Sequence, residues 1–368
     1  MRIGIDARFA GHGGQGLGRY TAELIYALAE IDSDNTYAIL TRQRDFWRTL
    51  PKNFSLVETS IPWYGMQEHI GIPRLIKEQD IHLMHFVHFN VPYRCPVPYI
   101  VTIHDLILRR FSSAHATTRS WPVFAVKYAA YRIGLRNALK NASRIVTVSN
   151  ASALDIEHFY PFAKKKISVI YEAPTASTIV KEDPALPVSE PFFLHVGNAY
   201  PHKNLRYCID EFVRFNEQNR TYHLALVGKR DVFYERLIRH AEQYRNAQIL
   251  FLGEVGDETL SSLYRHATAY VSPSLCEGFD LPSTEAALRG IPVVASDIPV
   301  HREILGSAAL FFPAEKKGAL SESLQLIIAS QPLRSELTEA GQQHVRQYSW
   351  KLAAQQTLEL YKSMLNSV

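Results

Sequence analysis

Short apolar runs alternate with amphipathic stretches along almost the whole chain. Arg2–Ala7 has the length and composition of one buried strand, and Arg19–Ile31 carries apolar residues at three- and four-residue spacing, which is typical of a helix with one buried face. Further strand-like runs follow as TYAIL, FSLVET, IHLMHF, PYIVTI, RIVTV and ISVIY, with helical segments between several of them. This alternation predicts βαβ units around a parallel sheet.

The pattern pauses near Tyr171, where YEAPTASTIVKEDPALPVSEP is rich in proline and in small or polar residues, as interdomain linkers are. A second alternating series then follows: FFLHVG, HLALVG, AQILFLG, AYVSPS, PVVAS and ALFF. We therefore predict two doubly wound α/β domains, residues 1–172 and 191–349, joined by a linker over 173–190. A last helix, over 350–368 with Ser349 as its N-cap, must pack on one domain or bridge both.

Chain length, net charge and cysteine spacing exclude several classes of protein. A chain of 368 residues exceeds the size of most single cores, and a net charge of +4 does not indicate a general polyanion binder. The three cysteines have no spacing that suggests a disulfide framework or a metal site. The N-terminus does not read as a signal peptide, and no run reaches the length of a membrane span, so we expect a soluble, cytosolic protein that could touch a membrane.

The first strand leads into a glycine-rich loop, GHGGQGLGR, over Gly11–Arg19. Backbone N–H groups in such a loop can approach an anion at the N-terminus of a helix. The dinucleotide fingerprint is matched only loosely, and no acidic residue ends the second strand to hold a ribose. Phosphate or sugar contact and a plain flexible turn both remain open.

Candidate polar groups stand where other predicted strands end, which is the ligand-binding edge of open α/β sheets. His104 follows PYIVTI, with Asp105 beside it as the cap of a turn. In the second domain His202 and Lys203 follow FFLHVG, and Lys229 follows HLALVG. Cations in two such loops would form a clamp for a diphosphate, although each alone would read as a solvated loop residue.

The stretch CEGFDLPSTEAALRG places Glu277 in the turn after AYVSPS and Glu285 in the helix that follows. Ser283 is predicted as the N-cap of that helix, Glu285 as part of its first turn, and Gly290 as its C′ residue. The helix dipole alone could explain Glu285 but not Glu277. Two carboxylates at this interval could each accept hydrogen bonds from two hydroxyl groups of one sugar-containing ligand.

The sequence Asp32-Ser33-Asp34 has the D-x-D form that binds a metal in one class of sugar-nucleotide enzymes. It lies between a helix end and a strand start, away from the ligand-binding ends, so we interpret it as a solvated turn. We find no metal-ligand spacing and expect no metal site.

Together these segments resemble the retaining glycosyltransferases of family 4, which have the GT-B fold of two facing Rossmann-like domains, with a C-terminal helix that crosses back toward the first domain. The resemblance rests on the E-x7-E motif at Glu277 and Glu285 and on GGQGLGRYT, VTIHDL, RIVTVSNAS, LHVGNAYPHKN, FLGEVGDETLSSLYRHA and YSW in the family's order. It covers nearly the whole chain.

The resemblance assigns a role to each motif position. Glu277 would face the donor sugar, Glu285 would hold the ribose, Lys203 would contact the diphosphate, and His104 would lie by the reacting sugar. Further donor contacts are implied for Gly14 and Gly16, for Val255 at the base, and for the backbone of Gly278, Phe279 and Asp280. Many members have glycine at the position of Asp280. Asn198 stands where the family often has a cation, which His202 or Lys229 could replace.

The implied reaction is metal-independent transfer of a hexose from a nucleotide-diphosphate sugar to a glycan or lipid-linked glycan acceptor, with no nucleic acid involved. VHFNVPYRCPVPYIVTIHDLILRRFSS resembles mannosyltransferases of bacterial surface-polysaccharide assembly and suggests GDP-mannose as the donor. A sugar-nucleotide 2-epimerase and a non-catalytic nucleotide-sugar binding protein are the alternatives.

No acidic residue lies between Leu106 and Leu154, whereas this stretch carries eight basic residues. Arg132, Arg136 and Lys140 recur every four residues and so share one helix face. A solvated basic face is the simple interpretation. The alternative is a surface of the first domain that docks on anionic lipid at the inner face of the cytoplasmic membrane.

Overall fold

The structure is a computed structural model that describes residues 1–11, 15–111, 121–175, 185–218, 221–244 and 247–365. The chain divides into two compact units. The first unit comprises residues 1–106, 119–172 and 348–368, and the second comprises 107–118 and 173–347. Residues 107–111, which the sequence alone places in the first domain, thus group with the second unit.

Every strand-like run of the sequence forms a strand. In chain order the strands of the described residues are β1 (Arg2–Asp6), β2 (Thr36–Thr41), β3 (Phe54–Glu58), β4 (Leu83–Phe86), β5 (Tyr99–Ile103), β6 (Arg144–Thr147), β7 (Ile167–Val169), β8 (Phe192–Val196), β9 (His223–Val227), β10 (Ile249–Gly253), β11 (Ala269–Ser272), β12 (Val293–Ser296) and β13 (Ala309–Phe312).

Both sheets are parallel throughout the described strands. The first unit has the order β3-β2-β1-β4-β5-β6-β7, and the second has β10-β9-β8-β11-β12-β13. The strand order reverses between β1 and β4 in one sheet and between β8 and β11 in the other. Ligands of doubly wound folds bind outside the carboxyl ends of the strands at such a switch point, so each sheet has one predictable place for a site.

Helices cover the sheets. Those of the described residues are α1 (Gln15–Ile31), α2 (Met66–Glu78), α3 (Ile107–Arg110), α4 (Trp121–Asn141), α5 (Asn150–Phe159), α6 (Leu205–Asn216), α7 (Val232–Ala241), α8 (Asp257–His266), α9 (Leu281–Leu288), α10 (Pro299–Leu305), α11 (Ala319–Ala329), α12 (Gln331–Val345) and α13 (Trp350–Leu365). None of them is both long and apolar enough to cross a bilayer within the described residues.

The last helix belongs to the first unit, as the family resemblance implies. It packs on α1, and the buried Tyr361 hydroxyl lies 2.7 Å from Nδ1 of His85 at the core of the first sheet. Ser349 is its N-cap as predicted, because the Ser349 side chain accepts a hydrogen bond from the backbone N–H of Leu352 at 3.1 Å.

The Asp32-Ser33-Asp34 turn is only half solvated, which corrects the sequence interpretation. Asp32 is 4% exposed, and its carboxylate accepts hydrogen bonds from the Asn35 amide at 2.8 Å and from the Tyr37 hydroxyl. Asp34 is exposed. Asp32 therefore fixes the connection from α1 to β2, and its buried carboxylate is already satisfied by the protein.

Candidate active site

Two loops of the second unit meet where β8 and β9 end. A Cβ atom added to Gly228 would lie 1.9 Å from the carbonyl oxygen of Gly197, so only glycine allows this approach. Beyond Gly197 the chain forms a 3₁₀ turn over Pro201–Lys203 that ends at Asn204 in the left-handed conformation, with φ of 56°. This turn presents Lys203 beside the switch point.

The loop after β11 carries the first glutamate of the E-x7-E motif. We call residues 273–280 the β11–α9 loop. Glu277 accepts a hydrogen bond from Lys203, with 2.6 Å between Nζ and Oε1, and the two side chains are 12% (lysine) and 8% (glutamate) exposed. The backbone N–H of Leu275 also donates to the His202 carbonyl at 2.7 Å. The structure thus brings together, across the β8–β11 switch point, residues that stand 74 positions apart in the chain.

The start of α9 differs from the prediction. The N-cap position belongs to Asp280, which is left-handed with φ of 70°, and not to Ser283. The Ser283 hydroxyl instead donates to the Asp280 carboxylate, as does the Ser272 hydroxyl at 2.7 Å. Because α9 begins at Leu281, Glu285 lies in its second turn and not its first. Gly290 has φ of 76°, in agreement with a C-terminal cap.

The Asp280 side chain is directed into the protein. Its Oδ2 lies 3.1 Å from Nε2 of His301, which is completely buried on α10. Burial alone would raise the pKa of Asp280, but hydrogen bonding from His301, the charges of His301 and Lys203, and the Ser283 hydroxyl hold it well below its usual range. The carboxylate of Asp280 therefore makes its polar contacts to the protein.

His195, at the carboxyl end of β8, is a site residue that the sequence did not reveal. Its Nδ1 donates to the Val271 carbonyl at 2.9 Å, and burial, assisted by the charge of Lys203, lowers the pKa of His195 to about 4. The ring is therefore neutral, with Nε2 as an acceptor. That buried Nε2 has no hydrogen-bond partner among the described residues. An acceptor of this kind beside Lys203 suits a ligand hydroxyl.

The other predicted positions of the second unit differ in exposure. Glu285 is 2% exposed and Phe279 is 3% exposed, and Gly278 and His202 are also buried. Asn198 accepts the backbone N–H of Tyr200 at 3.2 Å and so shapes the loop before the 3₁₀ turn. Val255 is half-buried in the loop before α8, and Lys229 is exposed. In the first unit, Gly16 of the glycine-rich loop is exposed at the start of α1, and Gly14 lies outside the described residues.

His104 follows β5 in the first unit, and the protein binds both of its ring nitrogens. Nδ1 lies 2.8 Å from the Glu172 carboxylate and Nε2 lies 3.0 Å from the Val87 carbonyl. Burial lowers the pKa of this imidazole, but the Glu172 contact, the Val87 carbonyl and the Asp105 charge outweigh it, so the pKa of His104 is raised. With an acceptor at each nitrogen, His104 is held as a fixed cation whose side chain is 18% exposed.

Glu172 and His301 were both missed by sequence reasoning. Each is bound to its partner over a long interval, 68 residues for Glu172 and His104 and 21 for His301 and Asp280. Glu172 falls just before the predicted linker, and His301 stands in the short segment PVHREIL, between apolar and charged neighbours. Neither has a local pattern that could have singled it out.

No cluster of three or more histidine, cysteine or acidic side chains in the described ranges could hold a metal ion.

The comparisons with known proteins cover both units. A model of "Glycosyltransferase Family 4" matches residues 14–173, and one of "Glycosyl transferases group 1" matches residues 177–344. The chain is 28% identical to "O-antigen chain mannosyltransferase B" of Escherichia coli over 78% of its length and 76% of that protein. It is 27% identical to "O-antigen chain mannosyltransferase RfbU" of Salmonella typhimurium, covering 82% of this chain and 84% of that protein.

Solved structures agree on the fold. Sucrose-phosphate synthase from Thermosynechococcus elongatus superposes with a TM-score of 0.76 at 18% identity, with both chains covered completely. WaaG, a glycosyltransferase involved in lipopolysaccharide biosynthesis, gives 0.73 at 15% identity, covering 98% of this chain and 99% of that one. At these identities the likeness establishes the architecture alone.

Proposed function

The chain belongs to the family 4 glycosyltransferases of the GT-B fold, and we propose that it transfers mannose from GDP-mannose to a glycan or lipid-linked glycan acceptor in the assembly of a cell-surface polysaccharide. The observation that carries the proposal is the Lys203–Glu277 pair at the switch point of the second sheet. The choice of mannose is supported by the O-antigen mannosyltransferases that the chain resembles over about four fifths of its length.

Lys203 and Glu277 suit the two ends of one ligand. The lysine would bind the diphosphate and stabilise the charge that develops on the leaving group, while the carboxylate would accept hydrogen bonds from the hexose hydroxyls. Because the two side chains are paired in the structure, a donor would replace one charge-assisted contact by two. Glu285 would hold the ribose of the same nucleotide.

We further propose that the reaction retains the anomeric configuration and needs no resident metal. The fixed His104 cation would lie near the reacting sugar and would stabilise the negative charge of the leaving phosphate without accepting a proton. The leaving phosphate would then help to remove the proton of the acceptor. Full activity in excess chelator is expected, whereas loss of activity that Mg²⁺ or Mn²⁺ restores would contradict this part of the proposal.

The decisive experiment compares donors and separates transfer from donor chemistry alone. GDP, UDP and ADP are first screened by thermal shift, since a ligand at about 100 times its Kd stabilises by about 2.7 kcal/mol. GDP-mannose is then incubated with and without a lipid-linked oligosaccharide acceptor. We expect GDP release to depend on acceptor. A new sugar nucleotide formed from the donor alone would indicate an epimerase, and nucleotide binding without turnover would indicate a binding protein.

The surface of α4 supports a peripheral membrane contact for this enzyme. Arg132, Arg136 and Lys140 are exposed on this helix, and so are Val126 and Ile133, at 71% and 58%. A second 3₁₀ turn, over Pro161–Lys166, contacts α4 and adds the exposed Lys164 and Lys165. A helix that presents cations beside exposed apolar side chains can insert them at the headgroup level of an anionic bilayer. Each cation near such a surface contributes about 1 kcal/mol.

Vesicle co-sedimentation tests this contact. The triple variant Arg132→Gln, Arg136→Gln, Lys140→Gln should lose binding to vesicles with anionic lipid, whereas Arg346→Gln, Lys351→Gln, Lys362→Gln removes the same charge from exposed positions elsewhere and should keep it. Equal binding of wild type to neutral and anionic vesicles, or equal loss in both triple variants, would refute the docking surface.

A further inference from the structure

A buried polar network lies behind the β11–α9 loop. His301 is 0% exposed and Asp280 is 7% exposed. Nδ1 of His301 lies 2.9 Å from the Ser296 carbonyl oxygen, and Nε2 lies 3.1 Å from Oδ2 of Asp280. A carbonyl oxygen can only accept, so Nδ1 carries a proton. Oδ2 also receives the Ser272 and Ser283 hydroxyls, which makes it an ionised acceptor, so Nε2 carries a proton as well.

The same network holds the β11–α9 loop at both ends. At its start, the Ser296 hydroxyl donates to the Ser274 carbonyl and lies 3.1 Å from Nδ1 of His301. At its end, Asp280 is bound to Ser272 and His301. Between the two anchors lie residues 275–279, with Glu277 at the centre. Movement of the Asp280–His301 pair would therefore move the carboxylate that faces Lys203.

The backbone alone does not require an aspartate at this position. Asp280 has φ of 70°, a conformation that glycine adopts without strain and most side chains avoid. An aspartate at this position has an unfavourable backbone conformation and a buried charge. We therefore explain its presence by the contacts that its side chain makes. Those contacts are made to Ser272 at the end of β11, to Ser283 in α9 and to His301 in α10.

We propose that Asp280 and His301 form a buried carboxylate–imidazolium pair that positions Glu277 and the neighbouring backbone N–H groups for the donor. Both are positioning residues, since they act through the β11–α9 loop. The catalytic consequence rests on the proposed function, but the ion pair itself does not.

Other charged groups surround the pair without replacing it. The charge of Lys203, from the 3₁₀ turn, helps to lower the pKa of Asp280. The charge of Asp280 in turn acts to raise the pKa of His195 on β8 and of Tyr270 on β11. On α10 itself, Arg302 is bound to Asp297 at 2.7 Å on the exposed side. From α12, His344 contacts the Ile304 carbonyl at 3.1 Å. Asp280 is thus the carboxylate that the described structure places in hydrogen-bond contact with His301.

Steady-state kinetics test the positioning role. Asp280→Asn and Asp280→Gly keep a residue type that tolerates the left-handed backbone, and each should lower kcat/KM for the donor at least about tenfold while the acceptor KM stays unchanged. His301→Ala should lose at least as much, because a buried carboxylate is left unpaired. His301→Gln, which restores one N–H donor, should recover activity to within about threefold of wild type.

Two controls make these numbers interpretable. Arg302→Gln removes a cation from the next residue of α10, away from the network, and should stay within about twofold of wild type. In a Glu277→Gln background, Asp280→Asn should add less than about threefold, because residues that act through one another are not additive. An Asp280→Gly enzyme with wild-type kcat/KM would overturn the positioning role, and so would full additivity with Glu277→Gln.

Nitrogen NMR of histidine-labelled protein tests the ion pair without any substrate. We expect an N–H at both ring nitrogens of His301, as the two acceptors that face them require, assigned by the signals that His301→Gln removes. A His301 ring with a proton on only one nitrogen would overturn the pair. If wild type neither binds nor transfers any nucleotide sugar, the proposed function fails, and the NMR result still decides whether the pair exists.

Discussion

The two units have the same strand order around their switch points but treat charge there in opposite ways. In the first unit His104 is held at both ring nitrogens by acceptors of the protein, Glu172 and the Val87 carbonyl. In the second unit Lys203 and Glu277 are paired with each other, with 2.6 Å between Nζ and Oε1. The strand order of a Rossmann-like sheet therefore determines where a site lies. It does not determine whether the charged side chains there are already bound by other groups of the protein or could bind a ligand.

This difference indicates a division of labour. A cation whose hydrogen bonds are already satisfied supplies a constant field and gains little from a ligand. A lysine and a carboxylate that are paired with each other can be separated by a ligand that offers a phosphate to one and hydroxyls to the other. The Lys203–Glu277 pair of the second unit is therefore suited to exchange its contacts for those of a donor, whereas the contacts of His104 in the first unit are already made to the protein.

The largest effect is expected for the Lys203–Glu277 pair, whose contacts a ligand could exchange, and not for the His104–Glu172 pair. Glu277→Gln keeps the shape of the side chain but removes its charge, which under the proposed function faces the positive charge that develops on the sugar. We expect kcat to fall about 100-fold or more, equivalent to about 2.7 kcal/mol, with little change in the donor KM. Steady-state kinetics at saturating acceptor measure this, with circular dichroism as the check on folding.

Glu254→Gln is the matched control, since Glu254 is exposed in the loop that also carries Val255. It should leave kcat within about twofold of wild type. A well-folded Glu277→Gln enzyme with near-normal kcat would mean that the first glutamate of the motif is structural, and the contrast between the two units would lose its basis.

The sequence was sufficient for the architecture because the relevant signals are local. Buried strands are continuous apolar runs, and all thirteen runs identified in the chain became strands of the described structure. Ser349 was recognisable because a cap acts within three residues. Glycine at 290 was recognisable because a helix that ends there needs a left-handed residue.

The partners of the charged side chains could not be predicted from the sequence in the same way. Glu172 and His301 are paired by tertiary structure, and nothing in their neighbourhood along the chain distinguishes them from a linker acid or a core histidine. Ser283 looked like a cap because serine usually is one before a helix, yet the left-handed Asp280 occupies that position and uses the Ser283 hydroxyl as a donor. Competition among nearby polar groups is decided by packing.

The second prediction concerns the fixed cation. Glu172→Gln removes the carboxylate that holds His104, and we expect kcat to fall about tenfold with an unchanged donor KM. Glu157→Gln, which removes a surface carboxylate bound to Lys164, is the control and should be silent. An equal loss in both variants would assign the effect to net charge.

The same variant should alter how stability depends on pH. Because the folded-state pKa of His104 is raised above its unfolded value near 6.5, its contribution to stability is fully present below that pH and is lost as pH rises through the folded pKa. Glu172→Gln should therefore lower the Tm more at pH 6 than at pH 9. A difference that is the same at both pH values would show that His104 is not held as a cation.

The third prediction separates the two glutamates of the motif from each other. If Glu285 grips the ribose, its contact is equal in the ground state and the transition state. Glu285→Ala should then raise the donor KM about fivefold or more and leave kcat close to normal. Glu336→Ala, at an exposed position of α12, is the control for acidic side-chain removal. A fall in kcat that matches Glu277→Gln would place both glutamates at the reacting sugar.

The smallest effect is expected for Lys229, and its substitution tests whether this lysine binds the donor as Lys203 is proposed to do. Lys229 follows Gly228, whose backbone packs tightly against Gly197, but the lysine side chain is exposed to solvent. A charge in that setting is screened by salt and retains its hydration, unlike Lys203, whose side chain is 12% exposed. Lys229→Gln should therefore raise the donor KM by no more than about threefold at low salt and by less at 0.5 M salt, whereas Lys203→Gln should lower kcat at either salt concentration. Measuring both variants at the two ionic strengths decides the point. A salt-independent loss of kcat in Lys229→Gln would mean that the loop after β9 closes over the diphosphate, and the recognition surface would then include two lysines.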